Sequence, residues 1–594
     1  MDRGSCLYFP GDALLPPPTV TGPDVVTESG HAHSLPPHTT SPWSPGAASD
    51  DVRAGDLSGL HGREVVVTEK LDGENTTLYA DGLHARSLDS AHHPSRAWVK
   101  GLQGRVGSRI PQGWRVCGEN LYARHSITYE DLESWFYGFS VWNGEGHCLD
   151  WDRTVRFLRR LGVPVPRVLW RGVFDERALR ALRLDTTRQE GYVVRTAGGF
   201  GPDEFGQRVA KWVRGGHVQT DAHWMHAAVV ENGLSPKAAL WAVRSGASAD
   251  VESLSAAVGV APPDPAGARA AVIEVAARLD APGRSGDTRL AGVLATLLSA
   301  ARRGSLAGRL VTPLGMPLAR QVADLVGLYP NLHRPYPDED RRTGLVRMSF
   351  AADLGVLHAV AGAVASDSEA REQVDWSALY AEDAGLLGGA GVLAGLREAF
   401  ADLDPEPADR CLAEAREAYA QGRIRTVGEA VAATWRWRNG DFPRLIHLVG
   451  PSGSGKSTFA RGLRGVDAYV SLDDLREARG SRADQRAGAD VLRAGLALLD
   501  TALASGGTVV WDATSLNPHQ RSLVHSLAHR RDALTTHAVV LVDEDELVRR
   551  NAVRPHPVPP DVLASQLHRF VPPYPGQAHR TWYIGPGGTV EEAV

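Results

Sequence analysis

Leu445-Ile-His-Leu-Val-Gly450-Pro-Ser-Gly-Ser-Gly-Lys456-Ser457 decides how the C-terminal part of the chain folds. A short apolar run, a glycine-rich turn and the segment STFARGLRG read as strand, loop and helix. The spacing is GxxxxGK[ST]. Gly450, Gly453 and Gly455 let backbone N–H groups wrap a phosphate, Lys456 reaches the β- and γ-oxygens, and the Ser457 hydroxyl suits Mg2+. With Ser452 and Thr458 these residues form the expected ATP-binding set. Further strand-like runs, TVVWD (508–512) and HAVVLVD (537–543), alternate with helical stretches. That alternation predicts a parallel α/β sheet.

What happens to the γ-phosphate depends on residues further on. Tyr469-Val-Ser-Leu-Asp473-Asp474-Leu-Arg476 ends a strand on the loop side of the sheet. A carboxylate there, Asp473, can accept a hydroxyl proton, and Arg476 three residues on can hold a phosphate. TVVWDATSLNPHQR places Asp512, Thr514, Asn517 and Arg521 beyond a second strand end. Arg549, Arg550 and Arg554 precede a proline-rich turn, and arginines four apart share a helical face that can close over a triphosphate. Each segment alone reads equally well as a solvated helix face, but their order after the glycine-rich loop favours a site.

The chain has 594 residues and a net charge of −6, with 43% hydrophobic and 23% charged residues. The length points to several domains. No uninterrupted apolar run reaches the roughly 18 residues of a membrane span, and no secretory signal is read at the N-terminus. Cys6, Cys117, Cys148 and Cys411 are far apart, which argues against a disulfide framework or a cysteine zinc cluster and for a cytoplasmic setting. No region has the basic excess of a protein that coats nucleic acid electrostatically. Only five of the 64 basic residues are lysines: Lys70, Lys100, Lys211, Lys237 and Lys456. A desolvated lysine can lose its proton and act as a nucleophile, and arginine cannot.

Two of those lysines, Lys70 and Lys211, lie inside motifs of the N-terminal region. Glu69-Lys70-Leu71-Asp72-Gly73-Glu74-Asn75 follows a predicted strand, Arg86 follows a hairpin, and Glu119 sits in VCGEN. Then come the aromatic strand WFYGFSVW, Glu190-Gly191-Tyr-Val-Val-Arg195, and Val209-Ala-Lys211-Trp-Val213-Arg214. Short alternating runs (EVVVTEK, TTLYADGLHARS, WRVCGEN, FYGFSVW, GYVVR) make this a β-rich α+β domain. A lone lysine-acid-glycine match is weak, and the plain alternative is an exposed hairpin lysine. The ordered set is much more specific. HVQTDAHW offers His217, Gln219, Asp221 and His223 as metal ligands, a weaker reading.

The order KxDG, Arg, GEN, aromatic strand, EGYVVR, AK resembles the covalent nucleotidyltransferases, and among them the ATP-dependent RNA ligases with their ATP-grasp-like catalytic domain. The resemblance implies that Lys70 attacks the α-phosphate of ATP to give lysyl-AMP, that AMP passes to an RNA 5′-phosphate, and that a 3′-hydroxyl then displaces it. It implies that Glu69, Asp72 and Gly73 flank the nucleotide, Arg86 contacts the nucleotide or 5′-phosphate, and Glu119 binds ribose. Phe136 would stack on adenine, with Phe139 an equally good stacker by alternation. Glu190 would engage Mg2+, or Mn2+ in its place, and Lys211 the α-phosphate. The family's last motif usually reads KxK; here the second position is Val213, so either Arg214 substitutes or one phosphate contact is missing. Capping enzymes and DNA ligases share KxDG but normally append an OB-fold, where this chain continues with helical sequence.

The C-terminal set resembles the P-loop 5′-hydroxyl polynucleotide kinases over about residues 445–575. That resemblance implies Asp473 as general base, Arg476 on the substrate or the transferring phosphate, and Asp512, Thr514, Asn517 and Arg521 around the acceptor. Arg550 and Arg554 would be lid residues on the donor phosphates, although the following RPHPVPPDV is more proline-rich than usual. A small-molecule kinase of the same P-loop group is the rival.

Between the two lie alanine- and leucine-rich stretches at helical spacing, such as RAAVIEVAARLDA, which predict an all-α block. The expected organisation is a disordered lead-in at 1–39, a ligase domain at 40–226, a helical domain at 227–435 and a kinase domain at 440–585. A kinase that makes 5′-phosphates and a ligase that uses them belong together, and linkage raises their effective concentration. The arrangement resembles fungal and plant tRNA ligases, so the expected partners are RNA ends, nicked tRNA among them, and no membrane. No DxDxT or paired HxT motif for 3′-end healing is read in the helical block. The competing readings are an RNA-end sensor with regulatory ATP sites, and DNA ends in place of RNA.

Overall fold

In the computed structural model, the residues described are 57–85, 93–185, 187–214, 228–335, 337–387, 392–480, 488–554 and 556–594. The lead-in at 1–39, Arg86 and the HVQTDAHW segment lie outside them. The chain divides into two compact units: residues up to 257 with 282–290, and residues 258–281 with 291–594.

The first unit holds two four-stranded antiparallel sheets. Strands β1 (Glu64–Lys70), β2 (Glu74–Leu78), β3 (Leu83–Ala85), β4 (Arg115–Asn120), β5 (Phe136–Trp142), β6 (Val168–Val173), β7 (Gly191–Thr196) and β8 (Val209–Val213) pair as β6-β1-β7-β8 and β3-β2-β4-β5. The turn Leu71-Asp72-Gly73 carries the chain from the first sheet to the second. On the outer face of the first sheet Val65, Val67, Tyr192 and Val194 pack with Leu57, Leu60, Phe174 and Leu179. On the outer face of the second, Leu78, Val116 and Phe136 pack against Val99 and Leu102 of the helix Ala97–Val106 and Phe157 and Leu158 of the helix Trp151–Leu161. Asp150 caps the latter helix, accepting from the Arg153 N–H at 2.8 Å, as N-cap carboxylates do.

The second unit contains most of the helical block, whose first helices (Ala238–Arg244 and Val251–Val258) belong largely to the first unit, and a six-stranded sheet. Strands β9 (Arg444–Val449), β10 (Ala468–Ser471), β11 (Thr508–Asp512), β12 (Leu534–Val540), β13 (Arg580–Ile584) and β14 (Val590–Ala593) run in the order β10-β11-β9-β12-β13-β14. The sheet is parallel from β10 to β13. Its last strand, which the sequence reading did not anticipate, runs antiparallel. The expected strand 537–543 begins three residues earlier and ends at Val540. The sheet's two faces carry separate cores, one around Trp511 and Leu499, the other around Leu448, Val510 and Val540.

The helical block packs onto this sheet through buried charge. Asp324, fully buried, accepts from Arg303 at 2.6 and 2.9 Å and from Arg320 at 2.8 Å. Arg303 also donates to the Pro573 carbonyl at 3.1 Å, and Arg320 grips Glu592 of β14 with two bonds of 2.9 Å. Burial pulls the Arg320 guanidinium down, but Glu592 and Asp324 more than offset it and hold it above its usual range. Among the described residues no single helix is long and apolar enough to cross a membrane; one sharply bent helix pair, Asp340–Ser349 with Leu354–Ala363, passes by length and composition only. Cys117, Cys148 and Cys411 are buried free thiols.

Candidate functional sites

The register of the first sheet brings the N-terminal motifs together. Lys70 pairs with Gly191 and Thr68 with Val193 across β1–β7, while Val193 pairs with Lys211 and Gly191 with Val213 across β7–β8. Cross-strand partners share a face, so Lys70, Val193, Lys211 and Val213 lie on one side of the sheet. In the second sheet Glu119 pairs with Asn75 on one flank and Tyr137 on the other. Lys70 and Glu119 are joined by the crossing turn. A Cβ on Gly73 would sit 2.5 Å from the Asn120 carbonyl oxygen, so only glycine lets the turn pass that close.

Lys70 donates to the Glu190 carboxylate, and the two side chains are 21% and 4% exposed. Burial by itself lowers the Lys70 pKa, but Glu190, Glu119 and Asp72 override it and hold the ammonium above its ordinary value. Glu119 shows the reverse. Burial, with Glu190 and Asp72 nearby, pushes its carboxyl up to about 8 against the opposing pull of Lys70. The Gly73 N–H donates to it at 3.2 Å. Three carboxyl groups around one amine fit a divalent cation, with Glu190 the residue to hold it.

Asp72 accepts from Ser126 Oγ at 2.6 Å and from the Ile127 N–H at 2.9 Å, while its own N–H donates to the Tyr129 hydroxyl at 2.9 Å. Its role here is to anchor the loop after β4 against the KxDG turn. Asn232 fastens the same loop, donating to the Leu121 and Ala123 carbonyls at 2.9 and 3.3 Å and accepting from the Tyr129 N–H at 2.9 Å. Sequence reasoning missed Ser126, Tyr129 and Asn232, since the contacts join segments far apart in the chain and follow no local spacing. It also missed the buried Arg96–Glu74 pair at 2.8 and 3.0 Å, which fixes β2 beside the turn.

Two expectations need correction. Phe136 is fully buried on the outer face, in the helix-backed core, and cannot stack on a nucleotide between the sheets. A register shift between Cys117 and Gly118 accommodates an extra residue on β5; such a bulge turns side chains that strict alternation separates onto one face. Phe139, half-buried, packs with Val193 onto the cluster of Cys117, Trp142 and Phe200, and Tyr137 faces Glu119. Glu69 lies on the opposite face of β1 from Lys70, where burial raises its carboxyl despite a hydrogen bond to Gln189. Val213 is buried, and Arg214 ties its N–H to the Glu190 carbonyl at 3.0 Å.

In the second unit the glycine-rich loop follows β9 and ends at the helix Lys456–Arg461. Gly455 has φ +100°, which an L side chain adopts only with strain. Lys456 Nζ is buried and donates to the Pro451 carbonyl at 3.0 Å; burial holds its pKa below the ordinary value, with Asp512 and Asp473 offsetting only part of the drop. The Ser454 hydroxyl is buried without a hydrogen-bond partner. A buried ammonium and an unpaired hydroxyl in a loop of this shape fit a bound phosphate.

Around that loop the expected residues separate. Asp473 is exposed and takes a 2.5 Å bond from Arg476. Asp512 is buried and accepts from the Tyr469 hydroxyl, and Tyr469 also reaches Ser457. Arg550 donates to the Ser454 carbonyl at 3.4 Å and to Pro586 at 2.9 Å, so it already spans the loop. Arg554 is close enough for its charge to act on Lys456. Thr514 takes the Gly450 N–H at 3.0 Å through its carbonyl. The Asn517 side chain caps the helix Pro518–Arg530, accepting from the Gln520 N–H at 3.0 Å. Arg521 is buried, donating to the Ser515 and Val571 carbonyls at 3.0 Å each; burial lowers it to about 10. Arg521 therefore braces the acceptor loop from behind, buried on backbone carbonyls, while Asn517 holds the start of the following helix through its Oδ1. Gln566 was missed: it accepts from the Ser452 N–H at 2.9 Å.

Comparison with known proteins agrees with this division. Residues 63–213 match the family described as RNA ligase, and residues 445–573 match the family described as AAA domain. No curated protein matches the sequence. Among solved structures, one described as the Pnkp1/Rnl/Hen1 RNA repair complex is 23% identical, covering 22% of this chain and 44% of that one, with a TM-score of 0.20. A Naegleria gruberi RNA ligase with PPi is 18% identical, covering 27% and 51%, with a TM-score of 0.21. A gluconokinase from Sinorhizobium meliloti is 23% identical, covering 25% and 86%, with a TM-score of 0.19. The chain spans about half the length of the first two.

Proposed function

We propose that this chain heals and seals RNA ends, phosphorylating 5′-hydroxyls at the second-unit site and joining 5′-phosphate to 3′-hydroxyl ends at the first. The observation that carries the reading is the meeting of Lys70, Glu119 and Glu190 in one carboxylate-lined site, within the segment that matches the RNA ligases. Lys70 gives up its proton and attacks the α-phosphorus of ATP, forming a P–N bond as pyrophosphate leaves. The RNA 5′-phosphate then takes the AMP, freeing the lysine. Attack by a 3′-hydroxyl forms the phosphodiester and releases AMP. Glu190 is placed to hold a divalent cation, Mg2+ or Mn2+, which would offset phosphate charge. Lys211 shares the Lys70 face and suits the α-phosphate.

At the second site Lys456 and the loop N–H groups hold the β- and γ-phosphates of ATP, and Ser457 suits Mg2+. Asp473 accepts the proton of the 5′-hydroxyl as its oxygen attacks the γ-phosphorus and ADP leaves. Arg550 and Arg554 stabilise the charge on the donor. The product of this site is the substrate of the first. Nicked tRNA in the cytoplasm is the first natural substrate to try.

Purified protein incubated with α-32P-ATP and Mg2+ tests the ligase half on a denaturing gel. The expected result is a labelled band, absent in Lys70→Ala and discharged by RNA carrying a 5′-phosphate. A chain that takes no label with any divalent metal refutes sealing, and a band discharged only by DNA redirects the reading to DNA ends.

A further inference from the structure

Three histidines that the proposed chemistry does not use meet inside the P-loop sheet. His447 of β9 and His537 of β12 are register partners on adjacent parallel strands, and both are fully buried. His525, half-buried, comes from the helix Pro518–Arg530 that follows the acceptor loop. His525 Nε2 and His537 Nε2 lie 2.7 Å apart, and one ligand nitrogen from each of the three rings falls within 4.8 Å of the others. The positions beside His447 are apolar, as in LIHLV, and His447 and His537 have no solvent exposure, so gathering three imidazoles here needs a reason.

Hydrogen bonding supplies only part of one. His447 Nε2 lies 2.8 Å from the Ser515 hydroxyl, but Nδ1 of His447 and Nδ1 of His537 are buried with no hydrogen-bond partner. Native interiors rarely leave such atoms unpaired, and an unseen ion is one standard explanation. Burial first, with the Arg521 charge nearby, holds all three imidazoles below their usual range, which favours the neutral form that ligates metal. Arg521 is turned away onto the Ser515 and Val571 carbonyls.

We propose that His447, His525 and His537 form a binding site for a transition-metal ion, Zn2+ foremost. Neutral imidazoles suit zinc, copper or nickel, and with no carboxylate or thiolate in the set they do not suit Mg2+ or Ca2+. Tetrahedral zinc with bonds of about 2.0–2.1 Å sets its nitrogens roughly 3.3 Å apart, which small ring rotations reach from the spacing present. Water has access through half-buried His525 for the fourth position. The role is structural. His447 stands three residues before Gly450, and Ser515 belongs to the loop whose Thr514 carbonyl receives the Gly450 N–H. A metal here would tie the strand that launches the P-loop to the helix behind the acceptor loop.

The test uses the full chain, stripped with chelator, dialysed and titrated with ZnCl2 or CoCl2. Wild type is expected to retain one more zinc per chain than His525→Gln, with zinc affinity at least about 100-fold higher, the upper end of what even indirect partners of a metal contribute. His525→Cys, which supplies another zinc ligand, restores binding, and the exposed His519→Gln leaves it unchanged. Co2+ gives tetrahedral visible absorption bands that His525→Gln abolishes. Equal zinc content in wild type and a folded His525→Gln overturns the proposal and leaves a packed triad only. Should the variants fail to fold, the stripped wild type still decides: a Tm unmoved by zinc and no cobalt bands overturn it equally.

Discussion

Lys70 holds its ammonium on the carboxylate of Glu190, a residue 120 positions further along the chain. Removing Lys70 takes its positive charge away from Glu190, which is 4% exposed and lies beside Glu119 and Asp72. Breaking a buried pair costs about 3–5 kcal/mol, less where one partner sees water as Lys70 does. Lys70→Ala is therefore expected to lose about 1–3 kcal/mol as well as all covalent label. Adding Glu190→Gln to it should recover part of that loss in a double-mutant cycle followed by urea unfolding. Glu190→Gln alone keeps Lys70 but should cut lysyl-AMP formation by about 10²–10³-fold, the usual effect of removing one electrostatic stabiliser. Undiminished labelling of Glu190→Gln would remove Glu190 from the chemistry.

The two phenylalanines of β5 separate by experiment. Phe136→Ala empties a fully buried core position and should cost about 3–5 kcal/mol with nucleotide affinity little changed in protein that remains folded. Phe139→Ala should be mild in stability and weaken ATP binding by roughly 2–10-fold, the size of one aromatic stacking contact. Isothermal titration beside thermal melts distinguishes them, and the reverse pattern restores Phe136 as the stacker.

How much was legible in the sequence follows from how local each signal is. The glycine-rich loop, the KxDG turn and the strands that carry Glu119 and Lys211 are set by near neighbours, so motif spacing and alternation found them. The register shift between Cys117 and Gly118 is a pairing event between strands and leaves no mark in either strand's own pattern, so alternation left Phe136 and Phe139 both open and only the structure puts Phe136 in the core. Arg521 and Asn517 carry the right chemistry at the right spacing, yet burial and helix capping commit them to backbone, which only the tertiary structure reveals. Asn232 and Gln566 act on loops far from them in sequence and were not readable at all.

Asp473 offers a clean separation of the two activities. It is exposed and takes its ion pair from Arg476 three residues along the same helix, so Asp473→Asn should leave the melt unchanged. Loss of a general base typically costs 10²–10⁴-fold, and 5′-phosphorylation from γ-32P-ATP should fall by about that much. Lysyl-AMP formation should not change. Full kinase activity in Asp473→Asn would assign the base elsewhere.

His358 gives the helical block a pH dependence of known sign. Burial holds this imidazole below its usual value; it bonds the Leu354 carbonyl at 2.7 Å and the Ser377 hydroxyl at 3.1 Å. The unfolded chain takes up its proton near pH 6.5 and the folded chain only at lower pH, so below about 6.5 the unfolded state binds more protons and stability falls with acid. His358→Gln keeps a polar group in place but does not titrate. It should flatten the slope of stability between pH 6.5 and the lowered folded pKa by up to about 1.4 kcal/mol per pH unit, as read from urea midpoints across that range. An unchanged slope would show that His358 is protonated alike in both states.

Asp324 should prove the keystone of the second unit. It sits fully buried between Arg303 and Arg320, and through them it reaches the Pro573 carbonyl and Glu592. Asp324→Asn removes the shared negative charge while nearly preserving volume. Arg320 keeps Glu592, but Arg303 is left with carbonyls alone and the ring of Tyr574, 3.5 Å from its guanidinium carbon. The expected loss is about 3–5 kcal/mol. The helices that carry Arg303, Asp324 and Arg320 belong to one compact unit with the sheet, so the helical ellipticity of that unit and ATP protection of the P-loop should be lost together, at the same lowered denaturant concentration. Replacing the whole group with uncharged residues, Arg303→Met with Asp324→Leu, Arg320→Met and Glu592→Gln, should cost less than Asp324→Asn alone, since none of the four charges is then left without its partner. If the helical signal melts early while P-loop protection persists, the network joins the two parts in space without joining their stability.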